Sequence, residues 1–326
     1  MRIALAVVAA FIMSQAGQTR PDALRAVGSI RMPGVSGRID HLAADVSGQR
    51  LFVAALGNNT VEVIDISALR VIKSIAGLHE PQGIRFLPDR NRVVVANGGD
   101  GATVFYDGTT LGVVHTTKTS GDADNVRYDS KAARVYVGYG DGALVVMDGD
   151  GNTAGDIKLA AHPESFQLES AGPRIFVNVP SAGHVAVVDR AKQAVTAKWP
   201  VTAAGANYPM ALDEANRRLF IGCRRPAKLL VYDTGSGANV AAVDIVGDTD
   251  DLFYDAAKKS LYVIGGEGFI TVLAQQDADH YTQVQKLQTA PGARTGLFVP
   301  ELDKLFLAVP HRGTQPAEIR VYDVGQ

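Results

Sequence analysis

Seven residue pairs along this chain carry side chains that could bind a ligand or exchange protons. They include histidine, carboxylates, amides, tyrosine and arginine, all of which form hydrogen bonds. The pairs are Asp40/His41, Gln82/Gly83, Asp124/Asn125, Glu164/Ser165, Tyr208/Pro209, Asp250/Asp251 and Arg294/Thr295. Arg38, Glu80, Asp122, His162 and Asp248 each stand two residues ahead of a pair. If the fold brings these groups together, their chemical variety favours recognition of an asymmetric ligand.

Two kinds of reaction chemistry are open to the same residues. A carboxylate such as Asp250 or Glu164 could work with His41 or His162 as acid and base, provided that all lie within hydrogen-bond reach of one substrate. The two imidazoles and Asp250 could also hold a divalent metal, since histidine suits transition metals and carboxylates suit hard cations. The sequence has no short ligand motif such as His-Glu-x-x-His. A divalent metal is therefore a candidate cofactor, with His41, His162 and Asp250 as candidate ligands that only folded geometry could assemble.

Other catalytic motifs are missing from the sequence. No Gly-x-Ser-x-Gly elbow and no Cys-x-x-Cys-His haem attachment motif occur. The glycine-rich run 98–101 lies between predicted strands with no helix after it, unlike a phosphate-binding loop. Cys223, the single cysteine, lies in an apolar strand-like run and is predicted to be a buried structural residue.

The pairs belong to a repeat that positions them. Their first residues are 40, 82, 124, 164, 208, 250 and 294, so the steps are 42, 42, 40, 44, 42 and 44 residues. Eleven residues after each first residue, a second apolar segment begins, as at Leu51, Val93 and Leu219. A third segment usually ends in aspartate, as in 61–65 and 229–233, and a fourth follows, as in 71–75. Four short strands in about 42 residues are typical of a β-propeller blade.

The fold class predicted is therefore all-β, a seven-bladed β-propeller with four-stranded blades. The last repeat ends after its third strand at Asp323. A spare strand precedes the first repeat at 26–30 and is expected to complete the C-terminal blade. This pairing closes the ring and removes an open sheet edge.

In a propeller the pairs would crowd one mouth of the central channel. The candidate binding residues are His41, Asp40, Glu80, Gln82, Asp124, Asn125, His162, Glu164, Tyr208, Asp250, Asp251 and Arg294. Two interpretations stay open, because a water-filled mouth accepts polar side chains without any ligand. The leading functional hypothesis is a binding or interaction protein for a small molecule or a protein partner. The alternative is a metal-assisted hydrolase or lyase, resembling a lactonase, working in the same mouth.

Composition limits the class of partner. The chain has 32 Lys and Arg against 34 Asp and Glu, a net charge of −2 and a pI near 6.4. No basic excess is present to neutralise phosphates, so nucleic acid is not an expected partner. No segment is apolar for long enough to cross a bilayer. We expect a monomer.

The N-terminus has the pattern of a secretory signal peptide. Met1-Arg2 is followed by an apolar run over 3–13, and Ser14 and Ala16 place small residues at the −3 and −1 positions of a cleavage site. Residues 1–16 are therefore predicted to be a signal peptide, 17–24 a leader and 25–326 a single propeller domain. The expected location is periplasmic or secreted.

Three features carry a family resemblance. The Val-x-Val-x-Asp third strands, the period near 42 and the turn at Pro81-Gln82-Gly83 resemble the YVTN-repeat, YncE-like β-propeller family. The resemblance covers about residue 25 to the end. It implies an exported binding or surface protein. Related seven-bladed propellers include lactonases, a lyase and haem or quinone enzymes.

Overall fold

A computed structural model describes residues 23–325 of the chain. It contains seven four-stranded antiparallel sheets. Each innermost strand contacts the innermost strands of both neighbouring blades, so the sheets form a closed ring around a central channel. The predicted seven-bladed β-propeller is thereby confirmed.

The first six blades each use four consecutive strands. Blade 1 has β2 (Leu42–Asp45), β3 (Arg50–Ala55), β4 (Thr60–Asp65) and β5 (Arg70–Ile75). Blade 2 has β6 (Pro81–Leu87), β7 (Arg92–Asn97), β8 (Ala102–Asp107) and β9 (Val113–Lys118). Blade 3 has β10 (Asp124–Asp129), β11 (Arg134–Tyr139), β12 (Ala143–Asp148) and β13 (Thr153–Lys158).

The second half of the ring repeats this order. Blade 4 has β14 (Phe166–Leu168), β15 (Arg174–Val179), β16 (His184–Asp189) and β17 (Ala194–Pro200). Blade 5 has β18 (Gly205–Asp213), β19 (Arg218–Arg225), β20 (Ala227–Asp233) and β21 (Asn239–Asp244). Blade 6 has β22 (Thr249–Asp255), β23 (Ser260–Gly265), β24 (Phe269–Gln275) and β25 (Tyr281–Gln288). Blade 7 has β26 (Gly296–Val299), β27 (Lys304–Val309), β28 (Glu318–Val324) and, as its outer strand, β1 (Leu24–Arg31).

The closing strand is the feature that joins the two ends of the domain. β1 pairs antiparallel with β28 from Leu24 opposite Val324 to Arg31 opposite Glu318. It begins one residue ahead of the predicted domain boundary at 25, and Leu24 and Ile30 are buried in the core. The predicted ring closure is confirmed. The predicted signal peptide at 1–16 lies outside the described residues.

The second and third strands of each blade supply most of the core. Their side chains alternate between the two faces of a sheet, and both faces pack on a neighbouring blade, so apolar residues follow one another without a polar break. Leu51, Phe52 and Val53 are all fully buried, and Cys223 lies in the same kind of environment in β19. Between residues 23 and 325, the three short helices are 3₁₀ turns at Leu56–Asn58, Pro180–Ala182 and Pro300–Leu302.

The aspartates that end the third strands have a local role. Asp65 Oδ1 accepts a hydrogen bond from the backbone N–H of Ala68 at 2.9 Å, and Asp233 Oδ1 accepts one from Ser236 at 2.8 Å. These backbone hydrogen bonds are the largest cause that lowers the pKa of both aspartates. The repeated aspartates therefore build turns at the edge of the ring. Within residues 23–325, none of the helices has the length and apolar character needed to span a bilayer.

Candidate functional site

Several innermost strands contain a β-bulge at the end that carries the polar pair, and the bulge directs polar side chains toward the channel. Register shifts occur between Pro81 and Ile84, between Asp124 and Val126, and between Thr249 and Asp251, each at the end of the strand that carries a polar pair. A β-bulge inserts an extra residue and turns its side chain out of the regular alternation. The local sequence thus brings residues from distant repeats to one mouth of the channel.

In blades without a bulge, the pair precedes the strand but is still held by backbone hydrogen bonds. The N–H of Asp40 donates to the carbonyl of Ala54 at 2.8 Å, and the N–H of Glu164 donates to the carbonyl of Asn178 at 2.9 Å. These bonds fix the main chain at the mouth as firmly as in a regular strand. The side chains therefore project from a rigid scaffold.

Gly83 shows how tightly the blades meet here. A Cβ at this position would lie only 2.9 Å from the backbone nitrogen of Asn125 in the next blade. Only glycine avoids this clash without a shift of the backbone. Blade 2 therefore presents Gln82 alone to the mouth.

The mouth is a polar cavity of about 290 Å³. Its lining residues are Arg38, Asp40, His41, Gln82, Asp122, Asp124, Asn125, His162, Glu164, Ser165, Tyr208, Arg224, Asp250 and Arg294. We call this the mouth cavity. Ten of the twelve residues predicted to bind thus line one space, and Glu80 and Asp251 do not. Glu80 is exposed and has a left-handed backbone conformation (φ 51°). Asp251 contacts His41 but is not part of the cavity lining.

His41 lies among three carboxylates. Its Nδ1 is 3.5 Å from Asp251 Oδ1, and its Nε2 is 3.6 Å from Asp40 Oδ1 and 3.9 Å from Asp124 Oδ1. Burial of the ring disfavours the charged form, but the three carboxylates outweigh it and raise the pKa of His41 to about 10. His41 is therefore an imidazolium at neutral pH, which makes it a structural cation and unsuited to act as a general base.

Asp250 is held by two arginines. Its Oδ1 accepts a hydrogen bond from Arg224 at 2.5 Å, and its Oδ2 is 2.9 Å from Arg294 Nε. The Arg224 guanidinium also lies over the ring of Tyr208, 3.9 Å from the centroid. Burial, opposed by Arg224, raises the pKa of Asp250 to about 6. Both oxygens of this carboxylate are already used within the protein.

Glu164 differs from the other carboxylates of the mouth cavity. Its side chain makes no hydrogen bond or ion pair with any residue between 23 and 325, although it is only partly exposed. The pKa of Glu164 is raised to about 8, mainly by burial and then by the negative charges of Asp124 and Asp250. Glu164 is therefore mostly protonated at neutral pH and faces the cavity without a partner.

Replacing Glu164 by glutamine should change stability in a pH-dependent way. The folded-state pKa of about 8 exceeds the ordinary 4.5, so unfolding releases a proton between these values and the free energy of unfolding falls as pH rises. Glutamine cannot ionise, so Glu164→Gln should match the parent at pH 5. At pH 9 it should be more stable by about 1 kcal/mol or more, since one pKa unit is worth about 1.4 kcal/mol and partial exposure screens some of the shift.

Urea denaturation at the two pH values measures this difference. The matched control is Glu80→Gln, since Glu80 is exposed outside the mouth cavity. The control should stay within about 0.5 kcal/mol of the parent at both pH values. A Glu164→Gln variant that is no more stable at pH 9 than at pH 5, relative to the parent, would contradict the raised pKa.

The candidate metal ligands share the mouth cavity without forming a ligand set. Among the residues that the structure describes, no group of three or more His, Cys, Asp and Glu side chains is placed to hold a metal ion. His162 Nδ1 lies 2.7 Å from the carbonyl oxygen of Gly140, and Asp250 is engaged by its arginines. His41, His162 and Asp250 therefore contribute hydrogen-bonding groups to the wall of the cavity.

Four lining residues lie outside the set predicted to bind. Arg38 and Asp122 stand two residues ahead of their pairs, Ser165 is the second residue of its pair, and Arg224 follows the second-strand segment of blade 5. Arg38 donates to Asp40 Oδ2 at 2.7 Å. The repeat pattern marks the first three positions, whereas Arg224 is a charged residue outside that pattern that contacts Asp250 in the cavity wall.

The fold is found in solved structures. A chain of a mitotic checkpoint complex superposes with a TM-score of 0.79 at 13% identity, covering 100% of this chain and 99% of that chain. A chain of hydrazine synthase from Kuenenia stuttgartiensis has a TM-score of 0.75 at 15% identity, covering 90% and 95%. The sequence matches no protein-family model and no curated protein. At these identities the likeness establishes the seven-bladed propeller alone.

Proposed function

We propose that this protein is a binding protein whose mouth cavity holds a small polar ligand through a cationic, hydrogen-bond-donating group such as an amine. The observation that carries the proposal is Glu164, an acceptor without a protein partner among the described residues, beside Asp124 and Asp250. The β-propeller commonly serves as an interaction scaffold. A cation next to Glu164 would supply the missing partner and favour the ionised carboxylate.

The existing ion pairs of the mouth cavity favour a ligand with a positive charge. Arg38 is paired with Asp40, and Arg224 and Arg294 are both paired with Asp250. An anionic ligand would have to compete with these carboxylates for their guanidinium groups. A cation at Glu164 displaces no ion pair, which makes it the better match to this cavity.

Three four-carbon compounds test the proposal with matched size and different charge: putrescine, 1,4-butanediol and succinate. Calorimetry at pH 7 should show putrescine binding at least about tenfold tighter than the other two, a difference of about 1.4 kcal/mol. Glu164 is mostly protonated before binding. Repeating the calorimetric titration in buffers of different ionisation enthalpy should therefore show that about one proton is released for each putrescine bound.

The variants Glu164→Gln and Glu80→Gln distinguish the cavity from general surface charge. The first should weaken putrescine binding at least about tenfold. The second removes an equal charge outside the cavity and should change affinity by less than about twofold. Equal losses in the two variants, absence of putrescine binding, or tighter binding of succinate would overturn the proposal.

The second candidate function is a hydrolase or lyase, resembling a lactonase, in the same mouth cavity. It is favoured by the protonated state of Glu164 at neutral pH, since a carboxylic acid with a pKa of about 8 can donate a proton to a leaving group. A lactone hydrolysis assay, with and without added divalent metal, tests it. The expected rate falls above pH 8 and is lost in Glu164→Gln, while a rate unchanged in that variant would exclude this role.

We further propose that the protein is exported and belongs among YVTN-repeat, YncE-like propellers. Export rests on the pattern in residues 1–16, and the family proposal rests on the period near 42 and the third-strand motif. Mass spectrometry of protein from a periplasmic extract should give a chain that starts at Gly17. A chain that retains residues 1–16 and stays in the cytoplasm would contradict export.

A further inference from the structure

The channel has a second, chemically different end. Each innermost strand runs from the mouth cavity toward the turn that joins it to the next strand. Two adjoining cavities of about 600 and 670 Å³ lie among those turns and share Arg85, Phe298 and Pro300. We call them together the base cavity. Their combined space is sufficient for an organic ligand, since ligand pockets usually measure about 300–1,000 Å³.

One side of the base cavity is cationic or polar. The residue three positions after the first residue of each pair is Arg85 in blade 2, Arg127 in blade 3 and Gln167 in blade 4. Arg85 and Gln167 line the base cavity, and Arg127 is close enough to Arg85 for the two charges to repel. Neighbouring blades thus place these polar groups side by side.

The opposite side of the base cavity is apolar. The equivalent residues of blades 5, 6 and 7 are Ala211, Phe253 and Leu297, and all three line the cavity. Phe298 of blade 7 extends this apolar wall. Since blades 2–4 and blades 5–7 occupy different arcs of the ring, the two chemical halves face each other across the channel.

Arg85 is the group that the protein leaves without a partner here. Its guanidinium makes no hydrogen bond or ion pair with any of residues 23–325, and Arg85 is exposed to solvent where it lines both parts of the base cavity. Among the described residues, the carboxylate of Glu301, which also lines the cavity, favours its charged form without forming an ion pair with it. A guanidinium without a carboxylate or carbonyl leaves five N–H donors available.

Arg127 is a second cation near Arg85. It donates to the carbonyl of Val126 at 3.0 Å and to Ser165 Oγ at 3.2 Å. The charges of Asp251 and Asp124 act on it, but no carboxylate among the described residues lies within ion-pair distance. Burial, with the nearby charge of Arg85, lowers the pKa of Arg127 to about 10. A bound carboxylate between these guanidinium groups would offset their repulsion through charge-assisted hydrogen bonds.

We infer that the base cavity is a second binding site, for a small organic carboxylate with an apolar body. The carboxylate would face Arg85 and Arg127, and the hydrocarbon part would lie against Phe253, Leu297 and Phe298. This site is separate from the mouth cavity and prefers the opposite charge. It does not depend on the function proposed for the mouth.

Octanoate tests the inference, with acetate and 1-octanol as probes that lack either the apolar body or the charge. Calorimetry should show octanoate binding at least about tenfold tighter than either probe. Arg85→Gln should weaken octanoate at least about tenfold, whereas the control Arg70→Gln, on the exposed outer strand of blade 1, should change it by less than about twofold. Thermal unfolding should show that Arg85→Gln stays folded, because Arg85 is exposed and has no hydrogen bond or ion pair to lose.

The two sites are distinguishable in the same protein. Glu164→Gln should leave octanoate affinity within about twofold of the parent, and putrescine should not displace octanoate. Octanoate that binds equally to Arg85→Gln and the parent, or 1-octanol that binds as tightly as octanoate, would overturn the inference.

Discussion

A chain that begins at Pro33, and so lacks the closing strand β1, should fail to form a stable ring. The truncation removes the buried side chains of Leu24, Ile30 and Met32 and leaves β28 without its outer partner strand. Each such side chain contributes about 1.5–3 kcal/mol, so the total approaches the roughly 5–15 kcal/mol by which a whole domain is stable. Circular dichroism and size exclusion should show loss of the cooperative thermal transition and aggregation.

The control for this truncation is a chain that begins at Gly17, which keeps the whole of β1. It should unfold cooperatively as a compact monomer. A chain from Pro33 that melts at the same temperature as the control would show that closure contributes nothing, in conflict with the pairing of β1 and β28.

Two point variants on β1 localise the effect. Ile30→Ala removes a fully buried side chain and should lower the free energy of unfolding by about 3 kcal/mol. Val27→Ala changes a side chain that is 41% exposed on the same strand and should cost less than about 0.5 kcal/mol. Similar losses would mean that the packing of this strand does not hold the ring together.

Asp250→Ala should lower the free energy of unfolding by about 3 kcal/mol, because it leaves two partly buried guanidinium groups with only the exposed carboxylate of Asp248. Arg224 and Arg294 both contact Asp250, whose side chain is only 13% exposed. Removing one partner from a buried ion network costs more than the network contributes, since the remaining charges stay desolvated. Urea denaturation at pH 7.5 measures the loss.

Asp248→Ala is the matched control for Asp250→Ala. Asp248 lies near the same two arginines, at 3.3 Å from Arg294 and 3.7 Å from Arg224, but its side chain is 42% exposed. An exposed pair is worth about 0–1 kcal/mol, so this variant should be nearly as stable as the parent. A loss from Asp250→Ala no greater than that from Asp248→Ala would contradict the account of the network.

The fold was predictable from the sequence because its signals are local and repeated. Each blade carries an apolar second strand, such as 51–53, eleven residues after its polar pair, and the repetition turns a weak pattern into a strong one. The closing strand was predictable because an unpaired edge at 318–324 needs a partner. The convergence of ten predicted residues on the mouth cavity follows from the same periodicity.

The pairings inside the channel could not be predicted from the sequence. The contacts of Asp250 with Arg224 and Arg294 join three side chains from three blades, and they depend on rotamers and bulges that no sequence spacing records. For the same reason, the sequence does not show that Glu164 lacks a partner or that Glu80 points away from the cavity. Arg85 has a signal in the sequence, since it is a cation in an innermost strand at a position that is apolar in four of the seven blades.

The pKa of Glu164, measured by carbon-13 NMR of the side-chain carboxyl and assigned with Glu164→Gln, tests the account of the mouth cavity most directly. We expect a pKa of about 8 in the free protein and a lower pKa when putrescine is bound. A value near the ordinary 4.5 in the free protein would mean that Glu164 is solvated or already paired, and would contradict the proposed cation site.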